Sequence, residues 1–92
     1  MGIWLEKSLA LVKNSSINLD DIDYKNMIYL FYEYFSDRNL AKFISCLYDL
    51  DETILLNEIY HVIANKEYDL DEVERIMVCL KESGFDQWAE LD

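Results

Sequence analysis

Between Gly2 and Gly84 the chain contains neither glycine nor proline. Those residues punctuate strands and tight turns, so an all-β architecture would lack its usual corners. Hydrophobic residues still make up 52% of the 92 positions, which is enough for a core and too many for a disordered acidic tail. Helices joined by short polar connections satisfy both facts. The expectation is an all-α fold, a compact bundle of five helices plus a short C-terminal helical turn, in a single helical domain over residues 1–92.

Hydrophobic spacing places those helices. The first is predicted from Ile3 to Lys13, with Leu5, Leu9 and Val12 on one face, Trp4 and Leu11 beside it, and "NSS" (14–16) as its break. The second, Asp20 to Phe35, is apolar nearly all round: Tyr24, Met27, Ile28, Phe31 and Phe35 form one stripe, and Tyr29, Leu30 and Tyr32 cover much of the rest. A helix of that kind is central, buried by neighbours on several sides. After the break "SDRN" (36–39), a third helix carries Leu40, Phe43, Ile44 and Leu47. A fourth carries Leu55, Leu56, Ile59, Tyr60 and Ile63 and closes at "NKE" (65–67). The fifth carries Val73, Ile76, Met77 and Leu80 and ends at Gly84. Gly84 at the left-handed C′ position would bring Phe85 against Leu80 in a Schellman motif. The tail "FDQWAELD" then folds back as a short helical turn anchored by Trp88.

One acidic six-mer recurs in near-copies: "INLDDI" (17–22), "YDLDET" (48–53) and "YDLDEV" (68–73). With Asn18, Asp49 and Asp69 as N-caps, the third helical residues are Asp21, Glu52 and Glu72, a capping-box arrangement. A slip of the second start to Asp51 is the alternative. The flanking pairs Ile17–Ile22, Tyr48–Thr53 and Tyr68–Val73 are placed for hydrophobic staples. A calcium loop would want glycine at its sixth position, where these stretches have Ile54 and Glu74. The uneven spacing of the copies also rules out a structural repeat.

Residues that carry chemistry are sparse. His61 is the single histidine; Glu58, three residues before it, completes one Glu-x-x-His, where a di-iron bundle needs two such motifs and two further glutamates. Cys46 and Cys79 fall inside helical patterns and are expected as buried, reduced thiols. No glycine-rich phosphate loop can be built. The serines (Ser8, Ser15, Ser16, Ser36, Ser45 and Ser83) lack the signature of an activated nucleophile. The expectation is a non-enzyme without metal or cofactor.

Charge is distributed unevenly. Residues 1–48 hold six acids and five bases, net −1, and residues 49–92 hold thirteen acids and three bases, net −10; together these give the chain's −11. Such a chain repels nucleic acid and anionic membranes, so no direct nucleic-acid contact and no membrane contact are expected. The start "MGIWLE" lacks a basic leader region, and Glu6 stands where a myristoylation signal wants Ser or Thr, so a cytoplasmic location is expected. A basic protein partner, bound one to one, fits the acidic half. Its expected contacts are Glu67, Tyr68, Asp69, Asp71, Glu72, Glu74, Asp86, Trp88 and Glu90, with Tyr68 and Trp88 as aromatic anchors, and Tyr60 a further candidate.

In size, acidity, helical content and want of catalytic residues, the chain resembles the immunity proteins that protect bacteria from nuclease toxins of the colicin and contact-dependent growth-inhibition types. Colicin DNase immunity proteins carry adjacent tyrosines in a short helix; the nearest arrangement here is Tyr32-Glu33-Tyr34, on the second predicted helix. The resemblance implies a tight complex that blocks a toxin's active site or substrate cleft, with an RNase toxin domain as the expected target. Two other classes compete with it. A nucleic-acid mimic, such as a phage anti-CRISPR protein, would want carboxylates spaced like phosphates. A helical adaptor would want complementary basic patches.

Overall fold

Asn18, Asp23, Ser36, Asp51 and Asp69 open successive helical segments, each accepting a first-turn backbone N–H on its side-chain oxygen. The structure, a computed structural model, describes residues 3–90. Its α-helices are α1 (Ile3–Lys13), α2 (Tyr24–Phe31), α3 (Asp37–Tyr48), α4 (Glu52–Asn65), α5 (Leu70–Glu82) and α6 (Phe85–Glu90), with a 3-10 turn at Leu19–Asp21. The described residues contain no strand, and the fold is an all-α bundle. Met1, Gly2, Leu91 and Asp92, which entered the readings of the N-terminus, the C-terminal tail and the charge count, lie outside the described residues.

α2 is the hub. It packs on α3, α4 and α5, while α1 lies against α3 and α6. Met27, Ile28 and Phe31 on α2 are fully buried, as are Leu40, Phe43 and Ile44 on α3. Rings meet around Phe31: Phe43 edge-on at 4.9 Å, Trp88 edge-on at 5.5 Å and Phe85 tilted at 6.2 Å. Tilted and edge-on pairs at these separations add about 0.5–1.5 kcal/mol each beyond area burial.

The second helix is half as long as its hydrophobicity suggests. Its N-cap is Asp23, not Asn18, because Ile22 is extended and Asn18 caps only the 3-10 turn. Its end is Phe31, not Phe35. The N–H groups of Tyr32 and Tyr34 donate three residues back, to the carbonyls of Tyr29 and Phe31, and Ser36 at ψ 162° begins α3. Leaving the helix lets Tyr34 and Phe35 reach Phe85 and Trp88. Tyr32-Glu33-Tyr34 therefore lies in an exposed turn and not on a buried helix. "SDRN" is correspondingly the start of α3 as well as a break.

The six-mers also resolve unequally. Asp69 caps α5 as expected, accepting the N–H groups of Asp71 at 2.9 Å and Glu72 at 3.4 Å. Asp49 does not cap α4. It ends α3 in the left-handed conformation at φ 56°, with Leu50 N–H donating to the Ser45 carbonyl at 3.3 Å, and Asp51 is the cap. Lys66 ends α4 the same way at φ 54°. With no glycine between Gly2 and Gly84, these left-handed C-caps fall to residues that adopt the conformation at a cost. Gly84 has the expected positive φ, 103°, but α5 closes through bonds from Ser83 to Leu80 and from Gly84 to Lys81, three residues back, instead of the longer Schellman bond.

Two side-chain expectations reverse. Cys46 is exposed and Cys79 half-buried, so neither is a buried thiol. Leu56 faces outward and not into the core, Tyr60 is exposed as its candidacy for a surface anchor allowed, and the inner face of α4 is Leu55, Ile59 and Val62. Ser8, which no apolar pattern would select, is fully buried on α1.

Candidate functional site

Within the acidic half, the expected contact residues occupy the α4–α5 linker, α5 and α6. Asp71, Glu74, Asp86 and Glu90 are exposed, and none enters an ion pair among the described residues. α6 packs on both α5 and α1, so the tail's carboxylates and those of α5 belong to one packed unit. The amide-rich first turn of α5 also favours the charges of Asp71 and Glu72 there.

The other expected contacts are partly committed to the fold. Glu67 lies 3.7 Å from the half-buried Lys25 ammonium of α2, a solvent-accessible pair that contributes little to stability. Glu72 pairs with Arg75 along α5 instead of reaching back to the cap. The backbone N–H of Asp69, which a capping box would give to Glu72, donates to the Asn26 side chain at 2.8 Å. Tyr68 is half-buried and stacks on Tyr29 with centroids 3.8 Å apart and planes at 15°. Trp88 is held among Phe31, Phe35, Phe85 and Tyr34, and its indole N–H donates to the Ser8 hydroxyl at 3.0 Å. That hydroxyl donates in turn to the Trp4 carbonyl at 2.6 Å. Trp88 is thus an anchor for α6 within this chain, as the tail reading expected, and only the half-exposed remainder of its ring faces outward. Buried Ser8 was missed because only its burial partner reveals its role.

A shallow groove between α1 and the α5–α6 turn is lined by Leu11 and Trp88, with Lys7 and Glu82 on its rim. Tyr24 donates its hydroxyl to Glu58 at 3.1 Å, so this carboxylate is engaged within the fold. Burial, reinforced by that carboxylate, raises the Tyr24 phenol above its ordinary 10.0. Burial likewise raises Tyr48, whose hydroxyl donates to the Ile22 carbonyl at 3.1 Å. Both are fastenings between α2 or its approach and the α3–α4 hairpin. Among the described residues, no three His, Cys, Asp or Glu side chains converge as metal ligands would, and no helix is long and apolar enough to cross a membrane. No family model matches the chain, and neither curated proteins nor solved structures give a match.

Proposed function

We propose that the chain is an immunity or antitoxin protein that binds and inhibits a basic nuclease toxin, an RNase-type domain, one to one, by covering its active site or substrate cleft. The observation that carries this reading is the concentration of net −10 in residues 49–92, with Asp71, Glu74, Asp86 and Glu90 exposed on adjoining helices. A nuclease cleft is basic because its substrate is a polyanion, and an acidic surface competes for it. A phosphate mimic is less well supported. Asp69 and Glu72 are spent on backbone N–H groups and Arg75, and the acids follow helix starts instead of an even spacing. In this reading the protein acts in the bacterial cytoplasm, needs no cofactor and catalyses nothing.

The test uses the protein that the native chain retains from a lysate of its source cells, purified and assayed for nuclease activity. Full inhibition at one equivalent of the chain is the expected result. A retained protein that is not basic, or whose nuclease activity the chain leaves intact, overturns the reading.

A further inference from the structure

α4 carries two apolar stripes, and only one of them meets the core. Leu55, Ile59 and Val62 are buried on the first. Thr53, Leu56, Tyr60 and Ile63 form the second, at intervals of three, four and three, the spacing of a helix seam. Ile63 is half-buried, but Leu56 is 36% exposed, Tyr60 77%, and neighbouring Ile54 61%. After Glu52, the exposed positions of α4 include no carboxylate, lysine or arginine. The exposed side of α5 differs: it sets Leu70 and Val78 among Asp71, Glu74, Arg75, Lys81 and Glu82, so its apolar residues are interspersed with charge. In a chain that is 29% charged, solubility alone would distribute charge over both helices. A contiguous uncharged face with a protruding tyrosine marks a contact surface.

We infer that the outer face of α4 docks a protein partner through an apolar pocket framed by basic residues, with Tyr60 as the inserted anchor and Leu56 and Ile54 beside it. The inference rests on the reading of the chain as an inhibitor of a basic protein and adds a second contact region to the acidic one. Charge complementarity selects the occupant. Asp49, Asp51 and Glu52 frame the face at one end, and Glu67 and Asp69 frame it at the other, where the nearby cations are Lys66 and the Lys25 that pairs with Glu67. A second copy of this chain would set acidic end against acidic end in either orientation. A basic frame converts the same carboxylates into attraction. The tyrosine then contributes a large rigid contact at small cost in side-chain entropy.

The experiment titrates the purified basic protein retained from the source-cell lysate with Tyr60→Ala, Leu56→Ser and Tyr60→Phe variants. Sedimentation velocity follows the chain alone. Tyr60→Ala is expected to weaken binding about thirty-fold or more, mainly through faster dissociation, while the melting temperature stays at the native value. Tyr60→Phe is expected to recover most of the affinity. Unchanged binding by Tyr60→Ala and Leu56→Ser, with binding still weakened by Glu67→Lys, Glu74→Lys and Glu90→Lys, overturns this inference and leaves the proposed function standing. A retained protein that is not basic overturns both. Self-association of the native chain that Tyr60→Ala abolishes overturns it in favour of a homodimer.

Discussion

The side-chain carbonyl of Asn26 accepts the backbone N–H of Asp69 at 2.8 Å, joining the first turn of α2 to the start of α5. Asn26 is only 6% exposed, and its partner is a backbone amide, so substitution at position 69 leaves the bond in place. Asn26→Ala strands that amide in a half-buried site and is expected to cost about 1–3 kcal/mol. Asp69→Ala removes only the cap and is expected to cost about 0.5–2 kcal/mol. Urea denaturation checks both, and a negligible effect of Asn26→Ala would show the bond to be dispensable.

Phe31→Ala is expected to cost about 3–5 kcal/mol, since the ring is fully buried and faces Phe43, Phe85 and Trp88. Trp88→Phe loses the donor to Ser8 together with part of the indole's packing, so its expected loss, about 1–3 kcal/mol, is an upper bound on that hydrogen bond. Near-UV circular dichroism together with denaturation distinguishes the two effects.

Left-handed helix ends give a prediction of the opposite sign. Lys66 at φ 54° bears a cost of about 1–2 kcal/mol that glycine would avoid, partly offset by glycine's greater unfolded entropy. Lys66→Gly should therefore stabilise the fold by about 0.5–1 kcal/mol, and Asp49→Gly by less, because aspartate tolerates this conformation better. Gly84→Ala should destabilise. A Cβ there meets Gln87 Oε1 at an ordinary 3.6 Å, so the loss would come from the backbone at φ 103° and not from a clash. Thermal melts of the three variants report the signs directly.

Tyr24 and Tyr48 make the fold sensitive to alkali. Both phenols are raised above 10.0 in the folded protein, chiefly by burial, with Glu58 adding to Tyr24 and Asp23 to Tyr48. An unfolded chain ionises them first. Their contribution is therefore complete below the unfolded value of about 10 and is lost as pH rises through the folded values. Stability measured against pH should fall in that alkaline window, and Tyr48→Phe should flatten the fall while sacrificing the bond to Ile22. A slope unchanged in both Tyr24→Phe and Tyr48→Phe would assign alkaline unfolding to other groups.

What could be read from the sequence divides by how local its physics is. Asp69 as a cap, Gly84 at positive φ and Phe31 in the core follow from short-range chemistry and hydrophobic period. The extent of α2 did not, because the aromatic run through Phe35 reads as helix until Phe85 and Trp88 are present to attract Tyr34 and Phe35 into a turn. Asp49 and Asp51 are both good caps in isolation. The choice between them depends on where α3 stops, and no glycine marks that stop. In the candidate site, the acidity of α5 and α6 is a matter of composition and was legible. The inward commitment of Trp88 depends on Ser8, eighty positions away in the chain, and the outward aim of Tyr60 depends on which of two stripes on α4 meets α2 and α3.

The association kinetics of the proposed complex supply the final prediction. Carboxylates concentrated in residues 49–92 should steer a basic partner, raising the association rate from an unsteered ~10⁵–10⁶ M⁻¹s⁻¹ towards ~10⁸ M⁻¹s⁻¹ at low salt. Screening acts on the encounter, where charges are separated by more than the Debye length of about 8–10 Å, so added salt should slow association far more than it speeds dissociation. Glu67→Lys, Glu74→Lys and Glu90→Lys together should lower the association rate about ten-fold or more without unfolding the bundle, because all three residues are exposed, none is a helix cap, and the Glu67–Lys25 pair that is lost contributes little. Lys7→Glu, Lys13→Glu and Arg38→Glu are the matched control and should change it little; Lys25 is unsuitable because it faces Glu67 at 3.7 Å. Stopped-flow measurements across a salt series separate the two phases. Should the control set be the one that abolishes association, the contact lies on the near-neutral half of the chain, and the charge asymmetry is only a matter of solubility.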